Sequence, residues 1–102
     1  MLVVSVMYPA TARFDLDYYT QRHMRLVRER WGDMGLREAR LLRGTSGPDG
    51  SAAQFTLIAL LSFASAQDFQ AALAKHGAEL LADIKNFTDV QPVLQLNEPV
   101  AL

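Results

Sequence analysis

The chain has no cysteine. Disulfides, thiolate metal sites and a cysteine nucleophile are therefore excluded, and the composition suits the cytoplasm. It has no long hydrophobic run either. The longest, Leu57 to Leu61, falls far short of the about 20 residues needed to span a bilayer. The opening stretch Met1 to Tyr8 lacks a basic lead and a small-residue cleavage site, so it does not read as a signal peptide. An excess of one charge is missing as well: 10 Lys and Arg against 11 Asp and Glu give a net charge of -1. With no basic stripe, nucleic acid is not an expected partner, and neither is a membrane. The glycines of segment 44–50 lack the strand-to-helix setting of a nucleotide fingerprint, and no serine sits in a G-x-S-x-G elbow. No nicotinamide, flavin or other cofactor is expected.

What remains is an apolar chain of one domain, residues 1–102, with a hydrophobic fraction of 50%. At this length roughly 60–70% of the unfolded surface is buried on folding. So much apolar material in so small an interior favours burial against a partner.

Residues 2–8 read as a strand ended by Pro9. Asp15 suits a helix N-cap, Phe14 and Tyr19 have the spacing of a hydrophobic staple, and the helix runs to Trp31, where Gly32 stops it. Residues 36–43 form a charged edge strand, and a glycine-rich hairpin leads to the strongest strand, 54–63, apolar on both faces. Ser65-Ala66-Gln67-Asp68 resembles a capping box and opens a second helix. Gly77 is expected to break that helix, with a further short helix over 78–84, and residues 90–97 to form the last strand, at an edge or bulge because of Pro92. The order βαββαβ predicts an α+β, ferredoxin-like fold: a four-stranded antiparallel sheet with both helices on one face. Because the strands are apolar on both faces, the uncovered face calls for a second copy, and a homodimer is expected.

Within the first helix, Leu16, Tyr19, His23, Leu26 and Val27 fall in one stripe. An imidazole in an apolar stripe is either a buried hydrogen-bonder satisfied by the sheet or the working acid–base group of a site. Tyr19, one turn earlier, is the candidate to set its tautomer. Tyr8 and Tyr18 are candidate pocket-lining phenols, with core or rim packing as the other use. Arg30, two turns beyond His23, is a candidate anion binder, although such an arginine more often covers apolar surface with its stem. His76, Glu79 and Asp83 have helical spacing, but two histidines in all and the intervening Gly77 speak against a metal, and none is expected. Hydrogen bonds tying the last helix to the final strand are the expected use of Asp83 and Asp89.

Two segments resemble a known family. Phe14-Asp15-x-x-Tyr18-Tyr19-x-x-x-His23-Met24, after a strand ending Met7-Tyr8-Pro9, is similar to the opening signature of the EthD family. His76-x-x-Glu79-x-x-x-Asp83-Ile84-x-Asn86-Phe87-Thr88-Asp89-Val90-x-Pro92-Val93 resembles its closing signature. The family takes its name from a protein associated with degradation of ethyl tert-butyl ether. The resemblance implies the dimeric α+β barrel, with a cavity between sheet and helices in each subunit. It also implies a small apolar or aromatic metabolite as ligand. Many members carry His-x-Pro where this chain has His23-Met24-Arg25, so the helix is expected to continue smoothly past His23. Relatives include cofactor-independent monooxygenases, isomerases and cyclases, so the fold does not fix the function. Two roles follow: cofactor-independent acid–base, isomerase or oxygenase chemistry through His23 with Tyr19, with Tyr8, Tyr18, Arg30 and His76 around the substrate; or a non-catalytic accessory or carrier protein supporting a partner oxygenase.

Overall fold

Side-chain alternation decides the sheet, and helical caps decide what lies on it. The computed structural model describes residues 1–102. Strand β1 (Leu2–Pro9) leads to α1 (Leu16–Tyr18), a π-helical turn (Tyr19–His23) and α2 (Met24–Trp31), which follow one another without a break. Strands β2 (Leu36–Arg43) and β3 (Phe55–Phe63) form a hairpin; α3 (Ala66–Ala82), a 3-10 turn (Ile84–Asn86) and β4 (Val93–Asn97) complete the chain. The strand order is β2-β3-β1-β4 with every neighbouring pair antiparallel, the ferredoxin-like arrangement expected from the element order.

Both predicted caps are made. The Asp15 carboxylate accepts from the Tyr18 N–H at 3.0 Å, and the Ser65 hydroxyl from the Asp68 N–H at 3.1 Å. The Phe14 and Tyr19 rings pack 5.4 Å apart, closing the staple. One sheet face, with Leu2, Val4 and Tyr8 of β1 and Leu57, Leu61 and Phe63 of β3, is buried beneath the helices. Trp31 locks α2 to α3 by donating its indole N–H to the Ala72 carbonyl at 2.9 Å.

Three expectations need correction. First, α3 runs unbroken through Gly77. Its neighbours are strong helix formers, and one interior glycine weakens a helix by about 1 kcal/mol without ending it. Gly77 is buried, and a Cβ there would lie 2.8 Å from Leu73 Cδ1. Secondly, the first helix does continue past His23, but through a π turn closed by the Met24 N–H on the Tyr19 carbonyl. Thirdly, β4 begins only at Val93, because the chain before it is drawn off to the first helix: Thr88 bridges to Phe14 and donates its hydroxyl to the Arg13 carbonyl at 2.7 Å, and Asp89 pairs with Arg13.

The helices do not reach over β4. Leu94 and Leu96 pair with Val6 and Val4 on the helix-side face, yet they are 44% and 47% exposed. A cleft opens there, between α3 and the sheet edge.

Candidate functional site

Three chain segments meet at the floor of that cleft. The π turn carries Tyr19 and His23, β1 ends in Tyr8, and the C-terminal cap of α3 is Asp83. A π turn holds one more residue than an α turn, which brings side chains four apart nearly into line. The Tyr19 and His23 rings accordingly stack, with centroids 5.3 Å apart and planes inclined by 22°. Phe87, fully buried, packs against both rings, 4.8 Å from the imidazole and 5.1 Å from Tyr19. Two aromatic rings thus fix the plane of His23.

Asp83 fixes its rotation. The His23 Nδ1 lies 2.9 Å from Asp83 Oδ2. The other carboxylate oxygen accepts from the Tyr18 hydroxyl at 2.6 Å and from the Asn86 amide at 2.9 Å. Burial pushes this carboxyl's pKa up, but the donors Tyr18, Asn86 and His23 together outweigh it and hold the pKa below the usual aspartate value. A carboxylate at that distance requires the proton on Nδ1, so Nε2 is the bare acceptor. Burial lowers the imidazole pKa against the opposing pull of Asp83, so the ring is neutral at pH 7. Nε2 has no hydrogen-bond partner in the protein, and no buried side-chain polar atom is left unpaired; Nε2 therefore opens to the cleft.

The cleft walls are apolar. Of 16 lining residues 13 are hydrophobic, and none is Asp, Glu, Lys or Arg. Its empty space is about 500 Å³ including the open mouth, of which about 50 Å³ admits the centres of water-sized molecules. Tyr8 and Tyr19 both line the cleft, and burial pushes both phenol pKa values far up, so both stay protonated. No group of three His, Asp or Glu side chains converges as metal ligands would.

Comparison with known proteins identifies the lineage of this site. The family model of the EthD domain matches residues 8–91, which include Tyr8, His23 and Asp83. The chain belongs to the EthD family. A crystal structure of an EthD-like protein from Ralstonia eutropha JMP134 is 42% identical, covering 98% of this chain and 92% of that one, with a TM-score of 0.90. A second, of an ethyl tert-butyl ether degradation (EthD) family protein from Bacillus halodurans C-125, is 18% identical over 98% of this chain and 99% of that one, with a TM-score of 0.73, and shares the fold. A search of curated proteins gives no match.

In this EthD chain, Tyr8, Tyr19 and His23 all line the cleft. Tyr18, Arg30 and His76 do not. Tyr18 turns its hydroxyl to Asp83 from outside. Arg30 makes a two-pronged ion pair with Glu79 at the surface, 2.8 and 3.2 Å long. His76 sits half-buried on α3 away from the cleft lining. Asp83 and Asp89 do not tie the last helix to the final strand. Asp83 bonds back to the first helical segment, because it caps α3 beside the π turn, and Asp89 pairs with Arg13 at 2.8 Å. Sequence reasoning passed over Asp83 as the partner of His23, and it also missed Asn86 and Phe87. The signal available was their presence together in the EthD-like closing segment.

Proposed function

We propose that this EthD-family protein binds a small apolar or aromatic metabolite in the helix–sheet cleft, and that His23 acts there as a general base. The observation that carries this reading is the free Nε2 facing an apolar cleft while Asp83 holds Nδ1. Nε2 would take a proton from an acidic C–H or O–H of the ligand. The imidazolium so formed would sit 2.9 Å from the Asp83 carboxylate, which stabilises it. Positioned bases of this kind contribute roughly 10²–10⁴-fold to a rate. Proton shuttling, isomerisation and oxygenation of an activated carbanion are the reactions open to one such histidine without a cofactor.

The assembly we propose is a homodimer formed through the open sheet face. Val3, Met7, Ile58 and Leu60 lie half-buried there, beside exposed Leu42 and Val93. No helix is long and apolar enough to cross a membrane, and the cysteine-free composition is suited to the cytoplasm.

The test starts from a thermal-shift screen of small aromatic and ether compounds on wild type and His23→Ala. Ligand at about 100 times Kd stabilises by about 2.7 kcal/mol, which such a screen detects readily. Hits are then incubated in D2O and their acidic hydrogens followed by NMR. Exchange slowed about a hundredfold or more in His23→Ala supports the general base. Exchange equal in both proteins, with binding retained, rejects it in favour of a carrier or accessory role.

A further inference from the structure

We infer that the cleft selects an uncharged single-ring phenol, its hydroxyl donating to Nε2 of His23 and its ring lying against the apolar walls. The inference rests on the reading of the cleft as a ligand site and adds the class of ligand. Charge comes first. No ionic side chain lines the cleft, so a carboxylate or ammonium would enter without a counter-ion and lose its hydration. The one nearby carboxylate, Asp83, has both oxygens committed to Tyr18, Asn86 and His23, and lies behind the imidazole. The ligand is therefore neutral.

Hydrogen bonding comes next. Nε2 is an acceptor without a partner in the protein. A ligand that covers Nε2 without donating strands a polar atom, so a donor is required at that end. Size follows from the free volume. The about 50 Å³ open to water centres holds roughly three to five waters, the space of one small ring.

The walls suit a ring. A glycine inside a 17-residue helix is unfavourable relative to alanine, and no turn or positive φ requires it, since the helix continues and its dihedral is ordinary. The room it leaves is taken by Leu73, whose Cδ1 lies 2.8 Å from where a Cβ would stand, so Leu73 and Gly77 together close that part of the apolar wall.

The experiment measures Kd by NMR titration for phenol, anisole and benzoate on wild type and His23→Ala at pH 7. Phenol is expected to bind about tenfold tighter than anisole, which keeps the ring and loses the donor. Benzoate is expected to bind roughly a hundredfold more weakly than phenol or not at all. His23→Ala is expected to weaken phenol about tenfold and to remove its advantage over anisole. Benzoate or anisole binding as tightly as phenol, no phenol binding up to its solubility, or a His23→Ala protein with unchanged phenol affinity would each overturn the inference. No turnover is read, so the two proposals fail separately. Phenol selection without proton exchange rejects only the general base; His23-dependent exchange on other compounds without phenol selection rejects only the ligand class.

Discussion

A carboxylate that receives three donors resists protonation, and a histidine buried among aromatic rings resists it as well. Both groups therefore hold pKa values below their ordinary ones, and the sign of the pH effect follows. Above about pH 6.5, the ordinary imidazole value, the His23 contribution to stability is fully present. As pH falls through that value and on through the folded-state pKa, the unfolded chain takes up the proton first and stability declines. Asp83 repeats the pattern lower down, below about pH 3.9. Urea unfolding between pH 5 and 8 is expected to show stability rising with pH up to about pH 6.5 and levelling above it, and His23→Gln to flatten the rise. Asp83→Asn is expected to lower unfolding free energy by roughly 1–3 kcal/mol and to release the His23 ring from its fixed tautomer, visible in ring ¹⁵N shifts. Tyr18→Phe removes the 2.6 Å bond and should raise the Asp83 titration midpoint in a ¹³C carboxyl titration, with little change in fold.

The elements themselves were largely legible. Phe14, Asp15 and Tyr19 announced the start of the first helix, Ser65 and Asp68 that of the last, and the apolar runs around Val4 and Leu57 marked the central strands, because these signals are local. The misses share a cause. Gly77 looks like a stop by propensity, yet packing against the sheet carries α3 through it. The π turn has no sequence signature of its own, since one surplus residue shows only in how the next face aligns. Asp83 lies 60 positions from His23, and no spacing rule joins them. The π turn yields a prediction. Deleting Gln21, exposed on its outer side, should restore plain α geometry and rotate His23 out of line with Tyr19. The far-UV dichroism should stay helical while the His23–Asp83 bond is lost from NMR spectra. Trp31→Phe, which keeps the packing and loses the bond to Ala72, is expected to cost about 1–2 kcal/mol in urea unfolding.

At the scale of the whole molecule, the proposed dimer sets the clearest expectation. The open sheet face puts Ile58 and Leu60 on the middle strand β3, where a carboxylate would be stranded in any interface formed there. Wild type should sediment at twice its 11.3 kDa chain mass, and Leu60→Glu should sediment as a monomer with its far-UV spectrum intact. A wild-type monomer at micromolar concentration would reject the dimer.

The bond between His23 and Asp83 also sets a timetable. The imidazole belongs to the first helical segment and its partner to the end of the last, and the seam around them is stitched by the Asp15 N–H on the Phe87 carbonyl and by the Phe14–Thr88 bridge. Contacts so distant along the chain close late in folding, after the local helices and the β2–β3 hairpin can already form. A nascent chain emerging from the ribosome therefore owns its histidine long before the ring has a partner. Chains truncated before Asp83, or stalled short of docking α3, leave the imidazole unfixed, and recovery of the His23–Asp83 bond after dilution from urea is expected to report docking of the two helical segments rather than formation of either.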